Sequence, residues 1–217
     1  MPRESNMKRE EKERTLRELR EEMKADKSLP LQESNFVFGE GSAESPLMFI
    51  GEAPGFYEDK LERPFVGRAG KLLDRLIEAA GWKRGDLYIS NIVKRRPPEN
   101  RDPFPEEIDS YKPYLAREIE ILNPKVIVPL GRFSMNYFLP DAKISKDHGR
   151  VFRLKGTRLI MPLYHPAAAL RSTSVLQELE KDFAKLKVVV GKADELIMAE
   201  GKVAEEAGEE KKQETLL

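Results

Sequence analysis

The sequence predicts an α/β fold with three layers, in which helices cover both faces of a central, mainly parallel four-stranded sheet. Short apolar segments typical of buried strands alternate along the chain with longer periodic segments typical of helices. This alternation favours parallel strands joined by helical crossovers. Polar residues or glycines also lie at the carboxyl end of each predicted strand. Open α/β sheets bind their ligands at the edge that these strand ends form. One pocket built from several strand ends is therefore expected.

Length and composition limit the class of protein. The 217 residues suffice for one sizeable domain with extensions at its ends. The 38 basic and 38 acidic side chains cancel, so the whole-chain charge predicts no particular partner. The sequence contains no cysteine, which excludes disulfides, thiolate metal sites and thiol catalysis. A charged N-terminus and the lack of any long apolar run predict a cytoplasmic protein without a membrane span or signal peptide. Its 35% of charged residues, with few Asn and Gln, indicate a thermophilic source.

The two ends of the chain differ from its middle. The segment from Met7 to Lys27 is almost wholly charged and predicts a solvated helix with a narrow apolar stripe that lies on the main domain. The stripe consists of Leu16, Leu19 and Met23. We therefore divide the chain into a charged N-terminal helix (residues 1–30), one main domain (31–190) and a charged C-terminal tail (191–217).

Four apolar runs in the main domain predict the strands of the sheet. The strands are predicted at Leu47–Ile50, Leu87–Val93, Lys125–Leu130 and Leu159–Leu163. Periodic apolar residues after each run predict the covering helices. The helices are predicted near Gly70–Ala80, near Pro105–Asn123, directly after Gly131, and from Pro166 through about Lys187.

The loop after the first predicted strand, residues 51–70, combines two glycine-bracketed turns, two adjacent carboxylates at Glu58 and Asp59, and the aromatic Phe65. Glycines let the backbone approach a ligand closely, and amides at the start of a helix suit polar or negatively charged groups. For one such loop alone, a plain strand-to-helix connection is the commoner explanation. The loops after the other strands count against that explanation.

Those other loops carry further candidates. Asn91 lies near the end of the second predicted strand, where it is either a turn or cap residue or a side chain whose amide reads the edge of a base. The basic cluster of residues 94–101 is either solvated surface or a phosphate site. His165 precedes a proline at the fourth strand end, where the imidazole is either structural or a ligand contact. Leu170 beside Arg171 is either an apolar wedge with a phosphate contact or a buried helix residue.

These residues resemble the family-four uracil-DNA glycosylases, the thermostable bacterial and archaeal branch of that superfamily. The resemblance runs from about Phe36 to Arg171, with the family's blocks in order and spacing. The blocks are Gly51-Glu52-Ala53-Pro54-Gly55, Glu58-Asp59, Pro64-Phe65-Val66-Gly67-Arg68-Ala69-Gly70, Asn91 with Arg96-Pro97-Pro98, and His165-Pro166-Ala167.

The resemblance implies an enzyme that flips deoxyuridine out of DNA and hydrolyses the bond between uracil and sugar in base excision repair. It implies that Phe65 stacks on the uracil, that Asn91 bonds the O4/N3 edge, and that His165 stabilises the leaving uracil anion at O2. It also implies that Glu52 holds the attacking water or balances the charge on the sugar, with Asp59 as the second candidate. The other residues implied are Ala53 and Gly55 for uracil binding and Arg68, Arg96, Arg101, Leu170 and Arg171 for DNA binding.

The chain departs from that family at a metal cluster. Family-four members carry four cysteines that bind a [4Fe–4S] cluster, and the corresponding positions here are Asp26, Leu29, Arg95 and Tyr111. Because such clusters are held by thiolates, no cofactor is expected. We expect the four side chains to lie together, with an Asp26–Arg95 salt bridge and Leu29–Tyr111 packing. A smaller departure is Glu62, where the family has Gly, which is expected to alter the turn before Phe65.

Two other interpretations compete with a glycosylase: a non-catalytic protein that binds uracil or single-stranded DNA on the same fold, and a nucleotide-binding α/β protein unrelated to DNA. A related branch captures uracil-DNA covalently through an additional His, which Lys94 to Arg101 lacks. The tail Gln213–Leu217 is faintly similar to sliding-clamp peptides, without their aromatic pair. The expected partner is uracil-containing DNA, single- or double-stranded. We expect a monomer that is associated with DNA in a prokaryotic cytoplasm.

Overall fold

The computed structural model describes residues 8–154 and 158–199, and the structural statements below concern these residues. The strands are β1 (Glu40–Gly41), β2 (Leu47–Gly51), β3 (Tyr88–Asn91), β4 (Val126–Pro129), β5 (Phe152–Arg153) and β6 (Leu159–Ile160). The helices are α1 (Arg9–Ala25), α2 (Phe56–Leu61), α3 (Arg68–Ala79), α4 (Pro105–Leu122), α5 (Arg132–Phe138), α6 (Ile144–Asp147), α7 (Pro166–Ala169) and α8 (Thr173–Gly191), and residues 193–199 are also helical.

The strands form one mixed sheet in the order β1-β3-β2-β4-β6-β5. The four predicted strands form its parallel centre, which confirms the fold class. The structure adds β1 and β5, which pair antiparallel at the two edges. Each has two residues, too few for a recognisable alternation of apolar and polar side chains.

The central strands are buried on both faces because helices cover the sheet from both sides. Leu47 and Phe49 pack against α3 and α8 on one face, whereas Met48 and Ile50 pack against α1 and α4 on the other. The rings of Phe49 and Phe183 stack with centroids 5.7 Å apart, which joins β2 to α8. The result is the three-layer arrangement that the sequence predicts.

The N-terminal helix α1 lies on the main domain through its predicted apolar stripe. Its buried residues are Leu16, Leu19 and Met23. Lys12 Nζ donates to the carbonyl of Leu122 over 3.1 Å, and Arg117 binds Glu22 through two short hydrogen bonds. The exposed Arg117–Glu22 pair contributes at most about 1 kcal/mol, so burial of the stripe holds the helix in place.

The four positions that correspond to the cluster ligands lie in one corner of the structure. This corner adjoins the connector between α1 and β1, residues 26–39. Leu29 and Tyr111 are buried in the same apolar cluster, and the hydroxyl of Tyr111 donates to the carbonyl of Pro30 over 3.0 Å. Burial raises the pKa of Tyr111. The charge of Arg95 lowers this pKa and that of Asp26 raises it, so both residues lie near the tyrosine. Packing of the tyrosine thus ties the connector to α4.

The salt bridge predicted between Asp26 and Arg95 is wrong. Asp26 instead accepts from the Tyr114 hydroxyl over 2.7 Å and from the Ser28 hydroxyl over 2.6 Å. Arg95 donates to the carbonyl of Ser34. Both charged groups therefore find closer partners on the connector and on α4, and each of them tethers a different part of the N-terminal segment.

A buried ion pair connects α4 to β3 and to the residues after it. Lys94 and Glu118 have no solvent-exposed side-chain surface, and Lys94 Nζ lies 2.5 Å from Glu118 Oε2. Glu118 Oε1 also accepts from the hydroxyl of Tyr88 over 3.0 Å and from that of Ser90 over 3.1 Å. Burial lowers the pKa of Lys94, and the attraction of Glu118 opposes this effect. Lys94 is thus an interior anchor, not part of the basic surface that the sequence suggests.

No helix in the described part of the chain is long and apolar enough to cross a membrane. The clamp-like peptide Gln213–Leu217 lies outside the described residues, as does most of the predicted C-terminal tail.

Candidate active site

The parallel register brings the four strand ends to one edge of the sheet. Gly51 pairs with Asn91, and the amides of Ile92 and Val93 continue this ladder by donating to the carbonyls of Gly51 and Glu52. On the other side, Leu130 bridges Leu163, two residues before His165. Residues far apart in the sequence are therefore neighbours because backbone hydrogen bonds place them there.

Phe65 and Asn91 meet above Gly51, at the end of β2. A Cβ atom on Gly51 would lie 2.5 Å from Cζ of Phe65 and closer still to Oδ1 of Asn91. Real Cβ atoms do not approach other heavy atoms so closely, so this position accepts only glycine unless one of the two side chains moves. The amide of Asn91 is buried and makes no hydrogen bond to another described residue. It is therefore free to bind a ligand.

The backbone of Phe65 is held in a conformation unusual for a bulky residue. Its φ is +52°, in the left-handed region, and Gly70 packs so closely that a Cβ there would overlap the Phe65 carbonyl. Arg84 Nη1 donates to the carbonyl of Phe65 over 3.1 Å, and its Nη2 donates to that of Pro64 over 2.6 Å. Arg84 also binds Asp74 over 2.7 Å, so the guanidinium fastens the aromatic turn to α3.

The sequence gives no signal for this role of Arg84, because the residue is distant in the chain and belongs to no recognised block. Glu62 is expected from the sequence to alter the turn before Phe65, and its backbone is consistent with this. It caps the end of α2 with a φ of +51°, in the left-handed region that glycine occupies at lower cost.

The two neighbouring carboxylates of the first loop have different positions. Glu58 borders the cleft, where its Oε1 accepts from the backbone amides of Val66 and Gly67 over 2.9 and 2.7 Å. Asp59 does not line the cleft, and its carboxylate accepts from the backbone amide of Asn35 over 2.7 Å. The sequence assigns the catalytic alternative to Asp59, and the structure corrects this assignment. The short helix α2, which was not predicted, turns the two side chains in different directions.

His165 lies beside the aromatic ring, with centroids of His165 and Phe65 5.6 Å apart. Its Nδ1 accepts from the backbone amide of Ala167 over 3.1 Å, so a neutral ring carries its proton on Nε2. Burial lowers the pKa of His165 to about 4, an effect that the charge of Glu58 partly opposes. The ring is thus neutral near pH 7 and presents an N–H donor.

Glu52 has an environment that favours its neutral form more than usual. Burial and, to a smaller extent, the charge of Asp102 raise the pKa of Glu52 to about 7, and the charge of Arg132 opposes both effects. Arg132 also forms a salt bridge to Asp102 over 2.5 Å. Carboxyl groups with a pKa near neutrality in a cleft are typical of catalytic sites.

A single open cleft of about 570 Å³ joins these groups. Eight of the twelve residues assigned from the sequence line it: Glu52, Ala53, Gly55, Phe65, Asn91, Arg101, His165 and Arg171. The structure adds polar residues to which the sequence assigns no role, which are Asn100, Asp102, Arg132 and Tyr164. No group of three or more His, Asp or Glu side chains in the described ranges is arranged to hold a metal ion.

The assigned basic residues differ in their surroundings. Arg101 lines the cleft and binds Glu107 through two hydrogen bonds of 2.8 and 2.7 Å. Arg96 donates to Asn100 Oδ1 over 2.7 Å at the margin of the cleft without lining it. Arg68 is exposed at the start of α3, and Leu170 is 39% exposed at the end of α7, both outside the lining. An exposed leucine next to Arg171 excludes the alternative of a buried helix residue.

Comparison with known proteins places this chain in a family. Residues 38–187 match the family model described as the uracil DNA glycosylase superfamily. A type-4 uracil-DNA glycosylase of Sulfurisphaera tokodaii is 44% identical over 80% of this chain and 84% of its own length. Proteins of the same name from Saccharolobus solfataricus and Thermotoga maritima are 47% and 44% identical, each over 70% of this chain and over 75% and 84% of their own lengths.

The protonation of His165 can be measured directly. Because burial lowers its pKa to about 4 and Ala167 occupies Nδ1, we expect a neutral ring, protonated at Nε2, from neutral pH down to about pH 4. Nitrogen-15 spectra of labelled histidine in an acid titration report both properties. The chain has two histidines, so the spectrum of His165→Gln identifies the signals. Titration of His165 near the ordinary value of about 6.5, or a proton on Nδ1, contradicts the assignment.

Proposed function

The chain belongs to the uracil-DNA glycosylase superfamily, and from this premise we propose that it is a type-4 enzyme that works without the metal cluster of its family. It hydrolyses the N-glycosidic bond of deoxyuridine in DNA and releases uracil. The observation that carries the mechanism is the juxtaposition of a stacking ring, an unpaired amide, a neutral imidazole and a carboxyl group in one cleft. Such an enzyme acts on a base that has left the helical stack.

Recognition of uracil follows from Phe65 and Asn91. A uracil ring that stacks on Phe65 brings its O4/N3 edge to the Asn91 amide, which offers one donor and one acceptor. Cytosine presents the opposite pattern at its position 4, an amino group in place of a carbonyl. Because Asn91 has no other partner among the described residues, a mismatched base leaves it unpaired, and this makes discrimination steep.

Departure of uracil as an anion depends on His165. The Nε2–H of a neutral imidazole donates a hydrogen bond to O2, where negative charge develops as the bond to the sugar breaks. A neutral donor is already in place near pH 7 and needs no proton from solvent. Preorganised donors of this kind usually supply the largest share of the catalysis.

Glu52 acts on the sugar side of the bond. Its ionised carboxylate balances the positive charge of the oxocarbenium-like sugar and accepts a proton from the attacking water. The side chain makes no hydrogen bond to another described residue, which leaves both oxygens available for water. Its pKa of about 7 means that the active, ionised form increases as the pH rises through neutrality.

An iron–sulfur cluster does not fit the positions where the family holds it. The chain has no thiol, and the buried ring of Tyr111 with the side chain of Leu29 fills the corner. The neighbouring polar groups, Asp26 and Arg95, are already bonded to Tyr114, Ser28 and Ser34. No step of the proposed reaction involves a metal.

Release of uracil from an oligonucleotide tests the function. In EDTA, we expect a colourless protein that retains full activity, since no step requires a metal.

His165→Ala removes the donor to the leaving group, so single-turnover cleavage falls by about 10²–10³-fold with little change in DNA affinity. Asn91→Asp loses uracil activity and gains a trace on cytosine, because a carboxylate accepts only.

Two outcomes oppose the proposal. Cleavage of uracil by both variants within about threefold of the parent places the pocket elsewhere, since a donor to the leaving group is worth far more. Binding of uracil-DNA without any release by the parent supports the non-catalytic interpretation.

The pH profile tests the role of Glu52. Because the ionised form is active and its pKa is about 7, we expect the single-turnover rate to rise with pH through about 7 and then level off. Asp102→Asn removes a negative charge that raises this pKa, so the rise moves to lower pH. The matched control, Asp109→Asn, removes an exposed carboxylate outside the cleft and leaves the profile unchanged. A rate that falls with pH through neutrality contradicts the assigned form.

A further inference from the structure

The exposed aromatic surface of the protein is concentrated beside the cleft. Nine large apolar side chains are exposed among the described residues, and the three aromatic ones are Phe56, Tyr57 and Phe104. Phe56 and Tyr57 lie between the cleft residues Gly55 and Glu58, and Phe104 follows two residues after Asp102. Scattered exposed residues need no explanation, but a group of aromatics at the rim of a binding cleft marks a contact surface.

The first aromatic site is fixed in place by its neighbours. Phe56 and Tyr57 begin α2 and are 52% and 56% exposed, with ring centroids 5.4 Å apart in an edge-to-face arrangement. The guanidinium of Arg96 lies 5.2 Å from the centroid of Phe56, and Arg96 is itself bonded to Asn100, which lines the cleft. The exposed ring therefore stands next to a cation at the margin of the uracil pocket.

The second site also pairs an exposed aromatic ring with an arginine, and it lies a few residues after Arg96 along the chain. Phe104 is 53% exposed, and the guanidinium of Arg101 lies 3.7 Å from its ring centroid. Glu107 holds both residues, because it accepts from the backbone amide of Phe104 over 2.8 Å and binds Arg101 through two hydrogen bonds. The backbone of Phe104 is thus held in place, and its ring is exposed beside the Arg101 guanidinium.

We propose that the pairs Phe56–Arg96 and Phe104–Arg101 bind the unpaired bases next to the flipped nucleotide, which gives the protein a preference for uracil in single-stranded DNA. This inference rests on the proposed function. Exposed aromatic faces stack on any base, and the guanidinium of Arg96, which is bonded to the neutral amide of Asn100, carries a charge that attracts an adjacent phosphate. In a duplex the neighbouring bases already stack on one another, so these rings stabilise an unpaired strand far more than a paired one.

The direct test measures DNA binding by the full-length protein without any uracil. Fluorescence anisotropy with a uracil-free single strand, and with the same sequence as a duplex, gives two affinities for each variant. We expect Phe56→Ala and Phe104→Ala each to weaken single-strand binding by about tenfold and duplex binding by less than about threefold. Phe56→Trp keeps an aromatic face and keeps the affinity. Val188→Ala, at a 57% exposed position on α8 outside the cleft, is the matched control and changes neither value.

Uracil release separates this surface from the pocket. With a single-stranded uracil substrate, the half-saturating protein concentration of Phe56→Ala and Phe104→Ala rises by the same factor, and the maximal single-turnover rate stays within about twofold of the parent.

Three results overturn the inference: unchanged single-strand affinity in a variant that carries both Phe56→Ala and Phe104→Ala, equal weakening for single strand and duplex, or a lower maximal rate at unchanged affinity. If the parent releases no uracil, the proposed function fails, whereas the anisotropy measurements still decide whether the rings bind unpaired bases.

Discussion

The absence of a side chain at Gly51 is the constraint on which the site depends. The ring of Phe65 and the amide of Asn91 occupy the space that a Cβ would fill, so both reach the end of β2 at contact distance. Phe65 comes from a turn with a left-handed backbone, which Gly70 allows and Arg84 holds. A stacking face and a hydrogen-bonding edge are thereby fixed at one point before any ligand binds, and such preorganisation reduces the cost of binding.

Several ordinary contacts hold the segment after α1 against the main domain, at the positions where the resemblance implies the ligands of a cluster. Tyr111 donates to Pro30, Tyr114 donates to Asp26, and Arg95 donates to Ser34, all between the main domain and the connector. Each of these hydrogen bonds contributes about 1 kcal/mol net, and burial of the Tyr111 ring adds the stabilisation of apolar surface removed from water.

The sequence predicts those features that follow from local pattern. Apolar runs locate the four parallel strands, and the carboxyl ends of parallel strands share an edge, so Glu52, Asn91 and His165 are expected to meet. Features that depend on side chains meeting from distant elements do not follow. The interior position of Lys94 requires Glu118 of α4, and the choice between the two carboxylates of the first loop requires the direction of α2, which is too short to show a periodic pattern.

Substitution of Gly51 tests the account most directly. Gly51→Ala places a methyl group 2.5 Å from the Phe65 ring and must displace the ring or the Asn91 amide. We predict that single-turnover release of uracil falls by about 10²-fold, because a displacement of about 1 Å in a site has an effect of this size. Gly191→Ala, with open space around the added atom, is the matched control and keeps the parent rate. A Gly51→Ala protein that cleaves at the parent rate would contradict the claim that this contact builds the site.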